Sequence, residues 1–271
     1  MIASIINKNT IYVYDLSQFD PYAILHSGQI FRFWEIENGW LVMSREHWAE
    51  IRTQADKIVI TCDNAQYFYQ FFDFDTDYSK IKFSLNAPKL KNALNYGKGI
   101  RILKADFVEI VLSFILSANN NIKRFTKTLN MMCQEYGGLT ECGQYSFPSL
   151  QQCENISLND FKRFGCGYRS EYLISAIQSL KELKFEYLQQ LSNFKLRQEL
   201  LKLKGVGPKV VACIMLFAFH RLDVAPVDTW IKKAIAQLSE EEQKTILHGK
   251  YAGVAQQYIF YYLQHLQKEI L

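Results

Sequence analysis

The stretch LKGVGPKVVACIMLFAFHRLDVAPVDTW, residues 203–230, contains the strongest structural signals in the chain. A glycine-bounded turn, Gly205 to Gly207, is followed by Pro208 and by an apolar run from Val210 to Phe219. Proline suits the first position of a helix, because its missing N–H would have no intrahelical partner there. Glycine permits a positive φ and the close approach of another backbone. The pattern predicts two helices joined by a tight turn, a hairpin at about residues 195–219.

Two residues of this stretch stand out chemically. Lys209 lies in the first turn of the second helix, where a cation is unfavourable because a helix N-terminus carries partial positive charge. The amides of the same turn can bind an anion such as a DNA phosphate. Asp228 follows Pro226 and Val227 and is well placed to cap a helix that begins at the next residue. The pattern fits an ordinary helical hairpin with a surface lysine, or a DNA-binding hairpin with a nucleophilic amine.

Composition limits the class of protein. The chain has 271 residues, enough for a sizeable core in one long domain or two ordinary ones. Its content of 49% apolar and 14% aromatic residues argues against disorder. The whole net charge of +4 is present in residues 201–233, which suits a polyanionic partner or a solvated charged face.

The cysteines and apolar runs indicate the compartment. The six cysteines include no C-x-x-C pair, which argues against a zinc or iron–sulfur site. The N-terminal sequence does not resemble a secretory signal, and the longest apolar run is too short to span a bilayer. We therefore expect a reduced, soluble, intracellular protein without a membrane partner, cytoplasmic and nucleoid-associated if the source is bacterial.

The first ninety residues have the character of an antiparallel sheet. Short β-branched and aromatic runs alternate with polar turns, including Asn-Gly at 38–39. The predicted strands are TIYVYDL at 10–16, QIFRFWEI at 29–36, GWLVMS at 39–44 and KIVITC at 57–62.

The remainder is predicted to be helical. DFVEIVLSFILSA opens with Asp106 and has Glu109 three residues later, a capping-box pattern. A helix over 85–96 is expected to connect the two parts, and a helix after Asn119–Asn121 to end at Gly137. Further helices fit 158–164, 170–183, 195–203, 208–219, 229–238 and 251–267. We predict an α+β fold, with an N-terminal antiparallel β domain over 1–95 and a helical domain over 96–271.

The hairpin sequence G-V-G-P-K, followed by P-V-D, resembles the helix-hairpin-helix DNA glycosylase superfamily with its Gly/Pro–Asp signature. With the hairpin, five segments in order resemble the 8-oxoguanine DNA glycosylase/AP lyase branch, and together they extend over nearly the whole chain. The other four are SGQIFRF at 27–33, SFILSANNNIKRF at 113–125, GCGYR at 165–169 and YAGVAQQYIF at 251–260. PVDTWIKKA is more similar to the bacterial members of this branch than to the eukaryotic ones.

The resemblance implies a bifunctional enzyme. Lys209 would attack C1′ of the damaged nucleoside, and the resulting Schiff base would lead to strand cleavage by β-elimination. Asp228 would stabilise the oxocarbenium-like sugar. The implied partner is double-stranded DNA with 8-oxoguanine opposite cytosine, bound by a monomer. No metal or cofactor is implied for the reaction, although a structural monovalent cation at the hairpin is compatible with the DNA complex.

The resemblance implies four residues that bind the lesion base. The backbone carbonyl of Gly28 would accept a hydrogen bond from N7–H, which 8-oxoguanine has and guanine lacks. Cys213 and Phe260 would sandwich the purine, and Gln256 would read its Watson–Crick edge. Plain core packing is the alternative for Cys213 and Phe260.

The same resemblance assigns residues to the rest of the duplex. Flipping a nucleotide out costs a few kcal/mol of stacking and pairing. Asn119 would fill the vacated space and Tyr168 would wedge the stack, whereas Arg124 and Arg169 would bind the orphaned cytosine. A polar turn between helices is the alternative for Asn119. The hairpin residues that would bind DNA are Gly205, Val206 and Gly207.

Two positions depart from the eukaryotic pattern. A histidine usual two residues after the aspartate is Trp230 here, and a carboxylate usual three residues after the phenylalanine is Leu263. Contacts that this polar pair makes to DNA must therefore be supplied differently.

A glycosylase for another damaged base is one alternative, and a non-catalytic helix-hairpin-helix DNA-binding protein is another. Adenine-mismatch and oxidised-pyrimidine relatives carry a C-terminal four-cysteine cluster, but no cysteine follows Cys213. Alkylated-base relatives generally lack the lysine. A module that only binds DNA does not need both Lys209 and Asp228.

Overall fold

A computed structural model of the chain describes residues 2–85, 88–236 and 238–266. Within them, a six-stranded antiparallel sheet precedes a helical body, which confirms the predicted α+β class. The strands are β1 (Ala3–Asn7), β2 (Thr10–Val13), β3 (Phe33–Ile36), β4 (Gly39–Ser44), β5 (His47–Gln54) and β6 (Lys57–Cys62). Their order across the sheet is β1-β2-β6-β5-β4-β3.

Strands β1 and β5 lie outside the predicted runs. β5 reads HWAEIRTQ, and its charged residues hide its alternation of buried Ala49 and Ile51 with more exposed neighbours. The remaining predicted runs contain strands, but the run at 29–36 forms a strand only from Phe33 onward.

The helical elements in the described part of the chain are fifteen α-helices and the 3₁₀ helix Pro88–Leu90. The α-helices are α1 (Pro21–Leu25), α2 (Ala65–Phe71), α3 (Tyr78–Ser84), α4 (Lys91–Tyr96), α5 (Phe107–Ser117), α6 (Ile122–Tyr136), α7 (Leu150–Cys153), α8 (Leu158–Arg163), α9 (Arg169–Glu182), α10 (Phe185–Gln190), α11 (Asn193–Leu201), α12 (Pro208–Phe217), α13 (Thr229–Ile235), α14 (Glu240–His248) and α15 (Ala252–Leu266).

The long predicted helices are confirmed to within two or three residues at their ends. The connecting helix predicted over 85–96 is the 3₁₀ helix followed by α4, while residues 86–87 lie outside the described ranges. Six helices that were not predicted, namely α1, α2, α3, α7, α10 and α14, have four to nine residues. Such lengths give too few turns for a periodic pattern. The predicted domain boundary at residue 95 stays a prediction.

The start of α5 departs from the predicted capping box. The Asp106 side chain accepts a hydrogen bond from the Glu109 backbone at 2.9 Å, as expected of an N-cap. The Glu109 side chain does not return to the cap but accepts from the Arg45 backbone N–H at 2.8 Å. Burial raises the pKa of Glu109 to about 7. The second half of the capping-box prediction is therefore wrong, because this carboxyl group ties α5 to the residue that follows β4.

A buried arginine joins the N-terminal region to the helical body. The Arg101 guanidinium donates to the carbonyls of Phe72 at 2.8 Å, Gln18 at 3.1 Å and Thr76 at 2.7 Å, and also to that of Asp73. A buried guanidinium needs such acceptors because each unpaired donor would be costly. The segment that precedes α5 is thereby fixed against α2.

Helix α12 is the centre of the helical body. Its residues from Val210 to Phe217 are all buried, and it packs against α5 and α11. The rings of Phe114 and Phe217 stack with their centroids 5.6 Å apart across the α5 contact. None of the helices in the described ranges has the length and apolarity to cross a membrane.

Candidate active site and nucleic-acid interface

The predicted hairpin is formed by α11, a turn and α12. The turn closes with a hydrogen bond from the Val206 N–H to the Leu203 carbonyl at 3.1 Å. Gly205 has a φ of +84°, which an L side chain rarely adopts, and Gly207 is extended and starts α12 ahead of Pro208. The first amides of α12 have no intrahelical acceptor and are therefore available to an anion.

Residue 205 must be glycine for two reasons, its positive φ and the close packing around it. A Cβ at Gly205 would lie 2.6 Å from the Tyr172 ring. Tyr172 belongs to α9 and its ring also contacts Tyr168 edge-on, with the centroids 5.7 Å apart. The hairpin and α9 are thus held together at this glycine.

Lys209 is exposed and lies in the first turn of α12, whose following residues are buried. Its Nζ lies 5.2 Å from the centroid of the Phe114 ring, where a cation or an amine is held by the ring face. One turn further along, burial raises the pKa of the Cys213 thiol, while the positive charge of the nearby Lys209 amine acts in the opposite direction. The amine and the thiol are therefore neighbours on one face of α12.

Asp228 caps α13, as the sequence predicts. Its Oδ1 accepts a hydrogen bond from the Ile231 N–H at 2.8 Å, which fixes the carboxylate. Asp228 also lines the same two cavities as Lys209. A single side chain thus serves as a helix cap and as a charged wall of the cleft.

The first cavity is an inner pocket beneath Lys209. It is lined by Ser27, Phe114, Phe217, Pro226, Gln257 and six residues predicted for the site. Those six are Gly28, Lys209, Cys213, Asp228, Gln256 and Phe260. The structure therefore brings together both predicted catalytic residues and all four predicted base-binding residues.

The inner pocket is small. Its volume is about 30 Å³, the space of roughly one water molecule. Gly28 has a φ of +75°, and a Cβ there would lie 3.1 Å from the Phe260 ring. Gln256 is buried, and its Oε1 has no hydrogen-bond partner among the described residues. A purine must therefore widen the pocket, and its polar edge would meet an unsatisfied amide oxygen.

The second cavity is an open groove of about 840 Å³. The loop from Ser117 to Asn121 forms one wall together with Arg124, and Lys209, Val210 and Asp228 form the other. Asn119 is exposed at the tip of that loop with a φ of +52°, a conformation that asparagine tolerates better than most residues. Since Lys209 and Asp228 line both cavities, they stand at the entrance from the groove to the inner pocket.

Tyr168 and Arg169 are not among the groove-lining residues. Tyr168 is 56% exposed, and the Arg169 guanidinium lies 4.5 Å from the centre of its ring. Arg169 itself is buried and donates to the carbonyls of Ala118 at 2.6 and 2.9 Å and of Asn119 at 2.7 Å. The sequence did not suggest this contact, which fixes the backbone of the Asn119 loop. Binding of cytosine by Arg169 stays a prediction.

The remaining predicted positions are placed as follows. Arg124 is exposed and its Nη2 lies 3.4 Å from the Gly165 carbonyl. Leu263 is half-buried and packs against the core, and the side chain of Trp230 lies outside the described part. No cluster of three or more histidine, cysteine or acidic side chains able to hold a metal occurs in the described residues.

Two family models together match most of the chain. The model described as "8-oxoguanine DNA glycosylase, N-terminal domain" matches residues 11–111. The model described as "HhH-GPD superfamily base excision DNA repair protein" matches residues 112–247. The chain therefore belongs to the HhH-GPD superfamily of base excision DNA repair proteins, in its 8-oxoguanine DNA glycosylase branch.

Individual relatives agree with this assignment. One similar solved structure is the 8-oxoguanine glycosylase/lyase of Clostridium acetobutylicum in complex with dsDNA containing cytosine opposite to 8-oxoG. Its sequence is 33% identical to this chain, and the two structures superpose with a TM-score of 0.89. The match covers 99% of this chain and 100% of that one. The N-glycosylase/DNA lyase OGG1 of Arabidopsis thaliana is 30% identical over 214 residues, which are 70% of this chain. A probable N-glycosylase/DNA lyase of Methanothermobacter thermautotrophicus is 30% identical over 186 residues, which are 60% of this chain. The matches span 59% and 60% of the length of these two curated relatives.

The packing of Gly205 yields a stability prediction. Gly205→Ala is expected to lower the free energy of unfolding by ~1–3 kcal/mol, because a left-handed backbone and a clash with the Tyr172 ring act together. Chemical denaturation of the two proteins measures the difference. Gly207→Ala is the matched control, since its φ is −89° and no heavy atom lies within 4 Å of the added Cβ. Equal destabilisation by both variants would contradict the packing role of Gly205.

Proposed function

We propose that this chain is a bifunctional DNA repair glycosylase that excises 8-oxoguanine and then cleaves the strand. The observation that supports it most strongly is the arrangement of Lys209 and Asp228 between an open groove and a small pocket that contains Gly28, Cys213, Gln256 and Phe260. A groove that admits a strand and a side pocket that admits one base suit an enzyme that flips out its substrate nucleotide.

The proposed reaction uses groups of the chain and of the DNA substrate. The unprotonated Lys209 amine attacks C1′ of the flipped nucleotide, a C1′–Nζ bond forms, and the C1′–N9 bond breaks with the electron pair leaving on the base. The Asp228 carboxylate, held rigidly by its hydrogen bond to the Ile231 N–H, stabilises the positive charge that develops on the sugar. The amine proton passes to O4′ as the C1′–O4′ bond breaks, and the sugar ring opens to a Schiff base. The departed base, which holds the electron pair of the broken C1′–N9 bond, accepts a proton from C2′, and the 3′ phosphate leaves with the electron pair of the C3′–O bond, which cleaves the strand.

Recognition of the lesion is proposed to take place in the inner pocket. The Gly28 carbonyl accepts from N7–H of 8-oxoguanine and faces a lone pair in guanine. Gln256 supports this assignment because its buried Oε1 has no hydrogen-bond partner in the described ranges of the chain and suits a donor on the Watson–Crick edge of the base. Cys213 and Phe260 lie on the helices that flank the pocket and would contact the two faces of the purine.

The groove is proposed to bind the rest of the duplex, with cytosine opposite the lesion. Asn119 occupies the space that the flipped base leaves, and Tyr168 separates the neighbouring bases. Arg124 and the Nη1 of Arg169 donate to the orphaned cytosine. The hairpin turn from Gly205 to Gly207 binds a phosphate, and a monovalent cation at this turn in the DNA complex stays a prediction. The proposed enzyme acts as an intracellular monomer.

Lys209→Gln tests the central role in this proposal. The variant is expected to lose all detectable excision of 8-oxoguanine opposite cytosine, because the amide is not a nucleophile, while it still binds the duplex. Base release under single-turnover conditions and fluorescence anisotropy measure the two properties. Lys181→Gln is the matched control, because it makes the same substitution at a lysine that does not line either cavity. Lys181 pairs with Glu154 and lies near the C-terminal end of α9, twelve residues after Arg169. Normal excision by the Lys209 variant would refute the assignment.

Arg169→Ala tests the recognition of cytosine. The substitution removes the guanidinium that fixes the carbonyls of Ala118 and Asn119, so the loop loses its position and the cytosine loses a donor. The ratio of excision opposite cytosine to excision opposite adenine is expected to fall by about tenfold. Arg163→Ala is the control, since it removes the same charge from an exposed pair with Glu135. An unchanged ratio in the Arg169 variant would count against this role.

A further inference from the structure

Gly28 lies between two buried polar residues whose side chains are tied to the backbone. The Ser27 hydroxyl donates to the Ile24 carbonyl at 2.6 Å. The same oxygen accepts from Gln29 Nε2 at 2.9 Å. The two residues that flank Gly28 are therefore linked to each other through their side chains.

Gln29 extends this network into the segment that precedes α5. Its Nε2 also donates to the Arg101 carbonyl at 2.8 Å, and its Oε1 accepts from the Leu103 N–H at 2.9 Å. Gln29 is fully buried, so no water competes for these bonds. The side of Gly28 toward Gln29 is thereby fixed to the body of the protein.

The side toward Ser27 is held from helix α15. The Gln257 Nε2 donates to the Ser27 carbonyl, and Gln257 is 2% exposed. Gln257 adjoins Gln256, and Phe260 follows one turn later on the same helix. The hydrogen bond therefore connects the Ser27–Gly28 peptide to the helix that supplies two other walls of the inner pocket.

A glycine that reads a base needs such restraints. Gly28 cannot carry a side chain, because its φ is positive and the Phe260 ring lies against it. Without a Cβ, however, its backbone angles are little restricted by local sterics. The direction of its carbonyl must then be set by its neighbours, which are the groups that Gln29 and Gln257 hold.

We propose that Gln257 is a positioning residue for lesion specificity. Its amide keeps the Gly28 backbone in register with Gln256 and Phe260, so that these three groups move together when the pocket widens to admit a purine. The inference rests on the proposed function, because it takes the Gly28 carbonyl as the group that reads N7–H. It concerns base recognition only, since Gln257 does not contribute to the Lys209 nucleophile or the Asp228 carboxylate.

Two DNA substrates can separate recognition of the damaged base from cleavage of the strand. A duplex with 8-oxoguanine opposite cytosine needs the Gly28 carbonyl as well as Lys209. The same duplex with an abasic site in place of the lesion has no base to read, and its cleavage by β-elimination needs only the lysine and its surroundings. A residue that positions Gly28 should therefore affect the first substrate and spare the second.

The test is Gln257→Met, which keeps the side-chain volume and removes the donor. Single-turnover excision of 8-oxoguanine is expected to fall by about tenfold, the order of effect that follows from one unpaired buried polar group. Cleavage of the abasic duplex is expected to match wild type, which also shows that the variant is folded. Gln257→Asn, with a side chain one methylene shorter, is expected to show the same separation. Gln264→Met is the control, because this residue lies exposed on the same helix.

Three outcomes would overturn the inference. Wild-type excision by both Gln257 variants would show that the hydrogen bond does not matter for recognition. An equal loss on both substrates would assign Gln257 a general structural role. Failure of the wild-type chain to excise 8-oxoguanine at all would contradict the proposed function itself, and the inference with it.

Discussion

The burial of α12 is the constraint on which the rest of the site depends. Every residue from Val210 to Phe217 is excluded from solvent, and burial of each large apolar side chain contributes about 1.5–3 kcal/mol. The helix is therefore fixed in position and rotation by its core contacts. Only its N-terminus reaches the surface, where Lys209 lines the groove. A reactive amine on a flexible loop would lack this precision.

Two groups of residues meet at the entrance that α12 defines. Lys209, Cys213 and Asp228 belong to the hairpin and to the loop that follows it, and they form the chemical side of the pocket. Gly28 comes from the N-terminal region, and Gln256 and Phe260 come from α15 on the opposite side. Because the pocket holds about 30 Å³ in this structure, the two sides must separate before a base can enter. Selection of the substrate can therefore depend on how well the incoming base stabilises the opened state.

The sequence was sufficient to predict those helices, caps and turns that depend on strong local signals. The buried helix after Pro208, the cap at Asp228 and the hairpin all follow from residue types whose backbone preferences are narrow. Strand β5 was missed because its charged residues mask its alternation. The short helices were missed because four to nine residues give too little periodicity, although caps such as Asp20 and Ser149 are readable signals of their starts.

The site was predictable in its members but not in its supporting contacts. Resemblance of motifs supplied six of the eleven residues that line the inner pocket. It did not reveal that Arg169 binds the carbonyls of the Asn119 loop, or that Gln257 holds the Ser27 carbonyl. Both are contacts between a side chain and a distant backbone group, and such contacts leave no periodic or motif-like trace in one sequence. Hydrogen bonds of this kind depend on the tertiary fold, which is why the structure was needed to find them.

The most direct test of the account is to trap the covalent intermediate and identify the residue that carries it. The wild-type chain is incubated with borohydride and a duplex that contains 8-oxoguanine opposite cytosine, and the adduct is digested and located by mass spectrometry. One adduct, on Lys209, is expected with the damaged duplex and none with an undamaged duplex. An adduct on another lysine, or release of the free base without any adduct, would contradict Lys209 as the nucleophile.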